Sequence, residues 1–436
     1  MKATFTYAAI YQVTATCQTP LRTGSTDGDT EIVLRDSHGR AFLQGTSIAG
    51  ALKEWLNSTV SPDLSESLLG SPQATGRLII SDALFNTDDK TVQYTRPRVR
   101  IDHATGSTDA EGGGKFDVAH IGAGAQLHFS LVWLGTEKDK DELTTVKRML
   151  SALNSGTIRL GAQKSNGFGQ VSLTVTEHRF DMTNAKDRQV WLDWQAWLDE
   201  SDSIDLSDEG DCYKVNFAVT GWMDSMLVRA AAAEQEETDS KNGKKGSYTP
   251  NLTEGGQPVL PGSSIKGVIR ARAEAIAETV GLGNTWVQNL FGRGAEGEDN
   301  GKPGQVWFDD VRLHGGDKRK ITRIRINKFT GGVVRGGLFQ EEPVCGEVEL
   351  RITAPDDPVA CALLLFTLRD LGLGLYNLGS GGSIGRGYLN VRRIEMSAPR
   401  GKCALHFNDF SICSLEDEKG LVEGWLTAWG GAIREN

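Results

Sequence analysis

Pro261-Gly262-Ser263-Ser264-Ile265-Lys266-Gly267 reveals how the chain is built, because it occurs twice. Its echo is Gln44-Gly45-Thr46-Ser47-Ile48-Ala49-Gly50, 217 residues earlier. Downstream of each copy, Arg98-Val99-Arg100-Ile101-Asp102-His103-Ala104-Thr105-Gly106 returns as Arg323-Ile324-Arg325-Ile326-Asn327-Lys328-Phe329-Thr330-Gly331, at a spacing of 225. Leu160-Gly161 with Ser165-Asn166-Gly167-Phe168-Gly169 returns as Leu378-Gly379 with Ser383-Ile384-Gly385-Arg386-Gly387, at a spacing of 218. Three motifs in one order at a near-constant offset mean two homologous domains. The repeats predict a first domain over 1–180, a helical linker over 181–210, a second domain over 211–400 and an extension over 401–436.

Within each repeat the periodicity changes in a fixed order. A strand opens it, at Thr4–Thr16 and Tyr213–Thr220. A helix follows the G-[TS]-S-I-x-G motif, with Thr46 or Ser47, and Ser263 or Ser264, predicted to cap it by accepting from its first amides. Strands fill the middle, a second helix is predicted at Leu143–Leu153 and Val359–Leu371, and Gly169–Val175 and Gly387–Ile394 close the units. The reading is α+β: two tandem ferredoxin-like, RRM-like domains with inserted loops. Trp191, Trp194 and Trp197, three apart in the linker, predict one packed helical face. The polar stretch Ala233–Gly256 predicts a mobile insertion, and the tail from Gly401, with two tryptophans, predicts a packed one.

Composition narrows the function. Glycine supplies 52 of 436 residues without a G-x-y period, which excludes collagen and places the excess in turns and close backbone approaches. The net charge of −10 argues against a protein coated with nucleic acid all over, but not against a local basic track. The six cysteines include no C-x-x-C pair, and the seven histidines no H-x-x-x-H or H-E-x-x-H. No signal peptide or run of 18 apolar residues is seen, so the expectation is a cytoplasmic protein with no membrane partner. Walker, kinase, nucleophile-elbow and dinucleotide fingerprints are absent.

The basic track is visible in the sequence. Lys318, Arg319, Lys320, Arg323, Arg325 and Lys328 put six positive charges in eleven residues with no acid among them. Arg323 and Arg325 share a strand face, with Ile324 and Ile326 predicted to enter the core; Arg96, Arg98 and Arg100 alternate likewise against Val99 and Ile101. Phosphate backbone is the partner such faces suit, a solvated face being the alternative. The hairpins Gly161–Gly169 and Gly379–Gly387 offer backbone amides to a phosphodiester, or else pack as tight turns on a sheet; Lys164, Ser165, Ser383 and Arg386 are their polar members. Ser47 and Ser264 sit at helix starts suited to an anion, and Lys266 and Arg270, four apart, add charge in the second repeat where the first has Ala49 and Lys53.

Asp27 and Asp29 lie in the acidic loop after the first strand, and Asp224 lies near the corresponding place in the second repeat. A carboxylate beside a phosphodiester can hold a divalent metal on the scissile phosphate, or it can be a turn former.

Taken together, Pro261–Gly267 with Arg270, the R-I-[DN]-x-x-T-G strand and the terminal S-x-G-x-G hairpin resemble the RAMP superfamily of CRISPR-associated proteins. Each half is similar to a Cas7-type backbone subunit of a type III effector complex, and the tandem resembles the fused subunits of the III-D group. The resemblance implies binding of CRISPR RNA and target RNA, alongside other Cas subunits, with a thumb loop that interrupts the guide–target duplex. In active members it further implies an endoribonuclease that cuts target RNA through a loop aspartate with Mg2+ or Mn2+. It assigns that role, and the metal, to Asp29 (Asp27 if the register shifts) and to Asp224. Alternatives are a non-catalytic structural guide-RNA-binding subunit or a CRISPR RNA processing nuclease, which would want a general base near the glycine loop.

Overall fold

Ala9, Tyr11, Val13, Ala15 and Cys17 are all buried on one face of strand β1 (Tyr7–Cys17), as the two-residue period of a strand dictates. Ala8 and Ile10 face the other way and join a smaller cluster. The computed structural model describes residues 5–27, 30–99, 115–193, 201–206, 214–229, 235–238, 245–294 and 301–435. The chain divides into two compact units, and the second takes in Arg96–Phe116 and Ser165–Gly167 besides Tyr213–Asn436.

In the first unit β1 is followed by β2 (Ser25–Asp27), β3 (Thr30–Ile32), β4 (Phe42–Leu43), α1 (Gly45–Thr59) and α2 (Pro62–Leu69). Then come β5 (Leu78–Ile80), β6 (Ala83–Phe85), β7 (Gln93–Val99), β8 (Lys115–Ile121), β9 (Gln126–Gly135), α3 (Glu142–Asn154), β10 (Val171–Asp181), α4 (Ala185–Leu192) and β11 (Asp202–Ser203), with β7 from Arg96 onward and β8 through Phe116 belonging to the second unit. The main sheet runs β11-β10-β1-β9-β6-β4, with β5 also on β9, and its pairs are antiparallel. Helices α1 and α3 connect the strands of a β-α-β-β-α-β plan. They bury Ile48, Leu52, Leu56, Val146, Leu150 and Leu153 in the same cluster as the odd-numbered face of β1. The opposite face is covered in part by α4, whose Trp191 meets Phe180 edge-on at 5.0 Å. Trp194 and Trp197 lie outside the described residues.

The second unit repeats the plan. It holds β12 (Lys214–Met226), β13 (Gln235–Thr238), β14 (Lys245–Pro250), β15 (Thr253–Glu254), β16 (Gln257–Leu260), α5 (Gly262–Thr279) and α6 (Asn284–Phe291). After these come β17 (Trp307–Phe308), β18 (Val311–Arg312), β19 (Ile321–Ile326), β20 (Val333–Glu342), β21 (Val344–Pro355), α7 (Pro358–Gly372), β22 (Leu389–Ala398), β23 (Gly401–Asn408), β24 (Ser411–Glu416) and α8 (Leu421–Glu435). Its sheet runs β17-β21-β12-β22-β23-β24. The four strands β22-β12-β21-β17 match β10-β1-β9-β5 of the first unit, and β23 and β24 extend one edge. Helix α7 is apolar on more than one face because α8 covers it, with Phe366 and Trp429 ring to ring at 5.4 Å. The tail therefore packs, as its composition predicts.

Two local expectations are corrected, and strands are found within the predicted insertion. The hydroxyl caps are absent: α1 and α5 begin at Gly45 and Gly262, and the preceding Gln44 and Pro261 make no side-chain cap bond. A carboxylate from the following strand region acts instead, Asp82 Oδ1 accepting from Gly45 N at 2.7 Å and Asp310 Oδ1 from Gly262 N at 2.8 Å. Glycine is needed at both starts because a Cβ would lie 2.6 Å from the Ile80 carbonyl oxygen or 2.1 Å from that of Phe308. The insertion contains strands, since β13 pairs with β14 and β14 with β20, although 230–234 and 239–244 lie outside the described residues. Finally, Ile324 and Ile326 do not enter the core. They are exposed on β19, part of the separate sheet β13-β14-β20-β19. Alternation fixes which residues share a face, not which face is covered. Val99 is exposed as well, and Ile101 lies outside the described residues.

Candidate nucleic-acid interface

The glycine hairpin of the second unit closes against the end of β12. Gly387 N donates to the Ser225 carbonyl, Ser380 N to that of Leu227 at 2.8 Å, and Leu378 N to that of Gly387 at 2.8 Å. Gly387 has φ +75°, and a Cβ there would stand 2.0 Å from the Leu378 oxygen. The first unit reproduces the closure: Gly169 N donates to Pro20 and Leu160 N to Gly169, each at 2.8 Å. The repeated glycines are thus explained first by backbone packing. Ser383 lies at the exposed turn, whereas Arg386 points into a buried cluster.

That cluster is centred on Glu341, which is 3% exposed and was not singled out by the sequence. Arg386 Nη1 donates to its Oε2 at 2.7 Å, and Arg323 donates to the same oxygen through Nε at 3.0 Å and Nη2 at 2.6 Å. Arg229 Nη2 donates to Oε1 at 3.1 Å. Burial raises the Glu341 carboxyl, but the bonds from Arg386 and Arg323 outweigh it and hold the group below its ordinary value. Three guanidiniums from the end of β12, from β19 and from the hairpin therefore share one carboxylate. Arg386 is buried, Arg323 is partly exposed and Arg229 is exposed. The detectable sequence signal was the absence of any acid from Lys318 through Gln340, which leaves Glu341 as the first available counter-charge. In the first unit Phe168 stands at the hairpin position of Arg386 and packs 5.1 Å from His120, which stacks on Tyr94.

The basic arm extends from this cluster. Lys318, Arg319, Lys320, Arg325 and Lys328 are exposed on or beside β19, and the ring of Phe329 at its turn is 99% exposed. Asn327 Oδ1 accepts from Phe329 N at 2.9 Å, which gives the turn a defined shape. The matching strand β7 is used differently. Arg96 is buried between Glu254 and Asp310, pairing with the latter at 2.7 Å, so it belongs to the interior and not to a phosphate track. Arg98 is partly buried, and Arg100 lies outside the described residues.

The remaining candidates are engaged locally. Lys266 donates to Ser165 Oγ at 3.0 Å. Burial, then the charges of Arg270 and Arg98, push its ammonium down to about 8. Arg270 donates to Glu274 at 2.7 Å and to the Gly292 carbonyl at the end of α6 at 2.9 Å. Lys53 makes the same closure in the first unit, to Gly70 at 2.7 Å, so this repeated cation has a local structural duty. Lys164 pairs with Glu54 at 3.1 Å. Ser47 and Ser264 are partly buried in the first turns of α1 and α5, where the leading amide is already taken by Asp82 or Asp310.

Asp224 is exposed on β12 and accepts from the Trp222 indole at 2.7 Å. Asp29 lies outside the described residues, and Asp27 belongs to β2. Among the described residues no group of three or more His, Cys, Asp or Glu side chains could hold a metal ion. We derive no step through a metal at Asp224.

The model of the RAMP superfamily matches residues 14–172 and again 239–390. The chain belongs to the RAMP superfamily. Its two tandem α+β domains are the two matched segments. No curated protein matches the chain. Among solved structures, this RAMP chain is similar to one in a cryo-EM structure of the type III-B Cmr-beta bound to cognate target RNA, at 14% identity and a TM-score of 0.33. That match covers 40% of this chain and 61% of the other. Among the described residues no helix is long and apolar enough to cross a membrane.

Proposed function

We propose that this RAMP protein is a CRISPR RNA-binding backbone subunit of a type III effector complex, which holds guide RNA and contributes no cleavage itself. The observation that carries this reading is the concentration of Arg229, Arg323 and Arg386 around Glu341, continuous with the exposed basic arm of β19, in a chain whose overall charge is −10. Local positive charge of this kind binds phosphate backbone regardless of base sequence. The exposed Phe329 ring adds a face on which an unstacked base can stack. Other Cas subunits and target RNA are its proposed partners.

The test is RNA binding by the whole chain. Changing Arg323 and Arg325 together to alanine should weaken binding to unrelated single-stranded RNAs to a similar extent and reduce the salt slope by about 1.4 for two lost phosphate contacts. Unchanged affinity and slope would remove β19 from the RNA surface.

A further inference from the structure

We propose that Glu341 is a positioning residue for a phosphodiester site formed by Arg229 and Arg323, with Arg386 as the buried anchor. The inference rests on the RNA-binding reading and deepens it. It begins from a charge imbalance: one buried carboxylate accepts from three arginines. Arg386 is as buried as Glu341, and these two form an internally compensated pair. The other guanidiniums are left as surplus positive charge, and both reach solvent.

Surplus charge alone does not make a site; orientation does. Arg323 is gripped through both Nε and Nη2 on one carboxylate oxygen, so its plane is fixed and the Nη1 edge remains for another acceptor. Arg229 is held through Nη2 on the other oxygen. The long Arg323 side chain, which would otherwise sample many rotamers, is thus ordered before any ligand arrives, and that entropy is not lost on binding. The ligand class that suits this oriented guanidinium, with the exposed Arg229 tethered on the same carboxylate, is a phosphate oxygen pair. In the first unit Phe168 and His120 replace the ion pair, so this device belongs to the second repeat.

Glu341→Gln removes a negative charge beside the site, so charge alone would tighten RNA binding. Loss of orientation should weaken it, by about tenfold for one charge-assisted hydrogen bond lost to phosphate. The probe is a labelled single-stranded RNA oligonucleotide titrated with the whole chain at several salt concentrations. E341Q should lower affinity and flatten the salt slope by about 0.7, while Glu341→Asp, which keeps the charge, should recover part of both. Equal or tighter binding by E341Q overturns the proposal. Because E341Q leaves Arg386 without its counter-ion and can fail to fold, Arg323→Lys gives a second route. It retains the charge on a partly exposed side chain but loses the two-point grip, and should also weaken binding; parent-like binding by R323K overturns the proposal as well. If the parent chain shows no salt-dependent binding, the RNA-binding reading fails, an outcome distinct from parent-like variants.

Discussion

Raising the pH from 7 to 9 should weaken RNA binding about tenfold if Lys266 reaches phosphate. In the unbound chain its ammonium is pushed down to about 8, burial being the first cause and the charges of Arg270 and Arg98 the next. A phosphate within contact distance supplies the missing counter-charge and returns the group toward the ordinary value of about 10.4. The complex then holds a proton that the unbound chain loses on passing pH 8, so binding takes up a proton and affinity falls as pH rises. With those two values the change between pH 7 and 9 is about tenfold. Stability of the unbound chain moves the other way: its Lys266 is depressed, so the fold becomes more stable as pH rises from about 8 toward 10.4. Fluorescence anisotropy at fixed ionic strength measures the binding arm, and Lys266→Arg is the control, because a guanidinium stays charged throughout. A parent chain with the same pH profile as K266R would refute the placement of Lys266 on phosphate.

Arg96→Met should cost the second unit about 3–5 kcal/mol, because Glu254 and Asp310 lose their buried counter-charge; a thermal melt within about one degree of the parent would refute the buried triad. Phe329→Ala should leave the melting temperature unchanged, since its ring contacts solvent, yet weaken single-stranded RNA binding by about 1–3 kcal/mol if a base stacks there. On the non-cutting reading, changing Asp27, Asp29 and Asp224 together to asparagine leaves the product pattern of the assembled complex with target RNA and Mg2+ unaltered. Disappearance of a regularly spaced product would instead show that one of these carboxylates cuts.

The tandem fold was legible because its decisive residues answer to backbone geometry. Gly45 and Gly262 stand where a side chain would collide with a neighbouring carbonyl, and Gly169 and Gly387 close hairpins at positive φ. Such constraints recur wherever the fold recurs. The capping partners were not legible: Asp82 and Asp310 lie 37 and 48 residues beyond the amides they accept from, and no local spacing encodes that reach. The fate of the two basic strands was equally hidden. Arg96 and Arg323 look alike in sequence, yet one is enclosed by two carboxylates while the other is partly exposed on one. Charge runs show that cations are close together, and only the fold shows which anions reach them.

The difference between the repeats then follows from a few substitutions at equivalent hairpin positions. Both units need a large side chain behind the closing glycine, because Phe168 and Arg386 are each buried there. Phe168 fills the space with a ring and asks only for another ring, which His120 supplies. Arg386 fills it with a charge, and a buried guanidinium requires a carboxylate. Glu341 meets that requirement with acceptor capacity to spare, and Arg323 and Arg229 occupy it. The arginine at the hairpin position, together with Glu341, Arg323 and Arg229, thus puts a charged cluster that extends to the surface where the first unit has a packing contact. The same fold can keep its hairpin in both domains while concentrating the arginine cluster in the second.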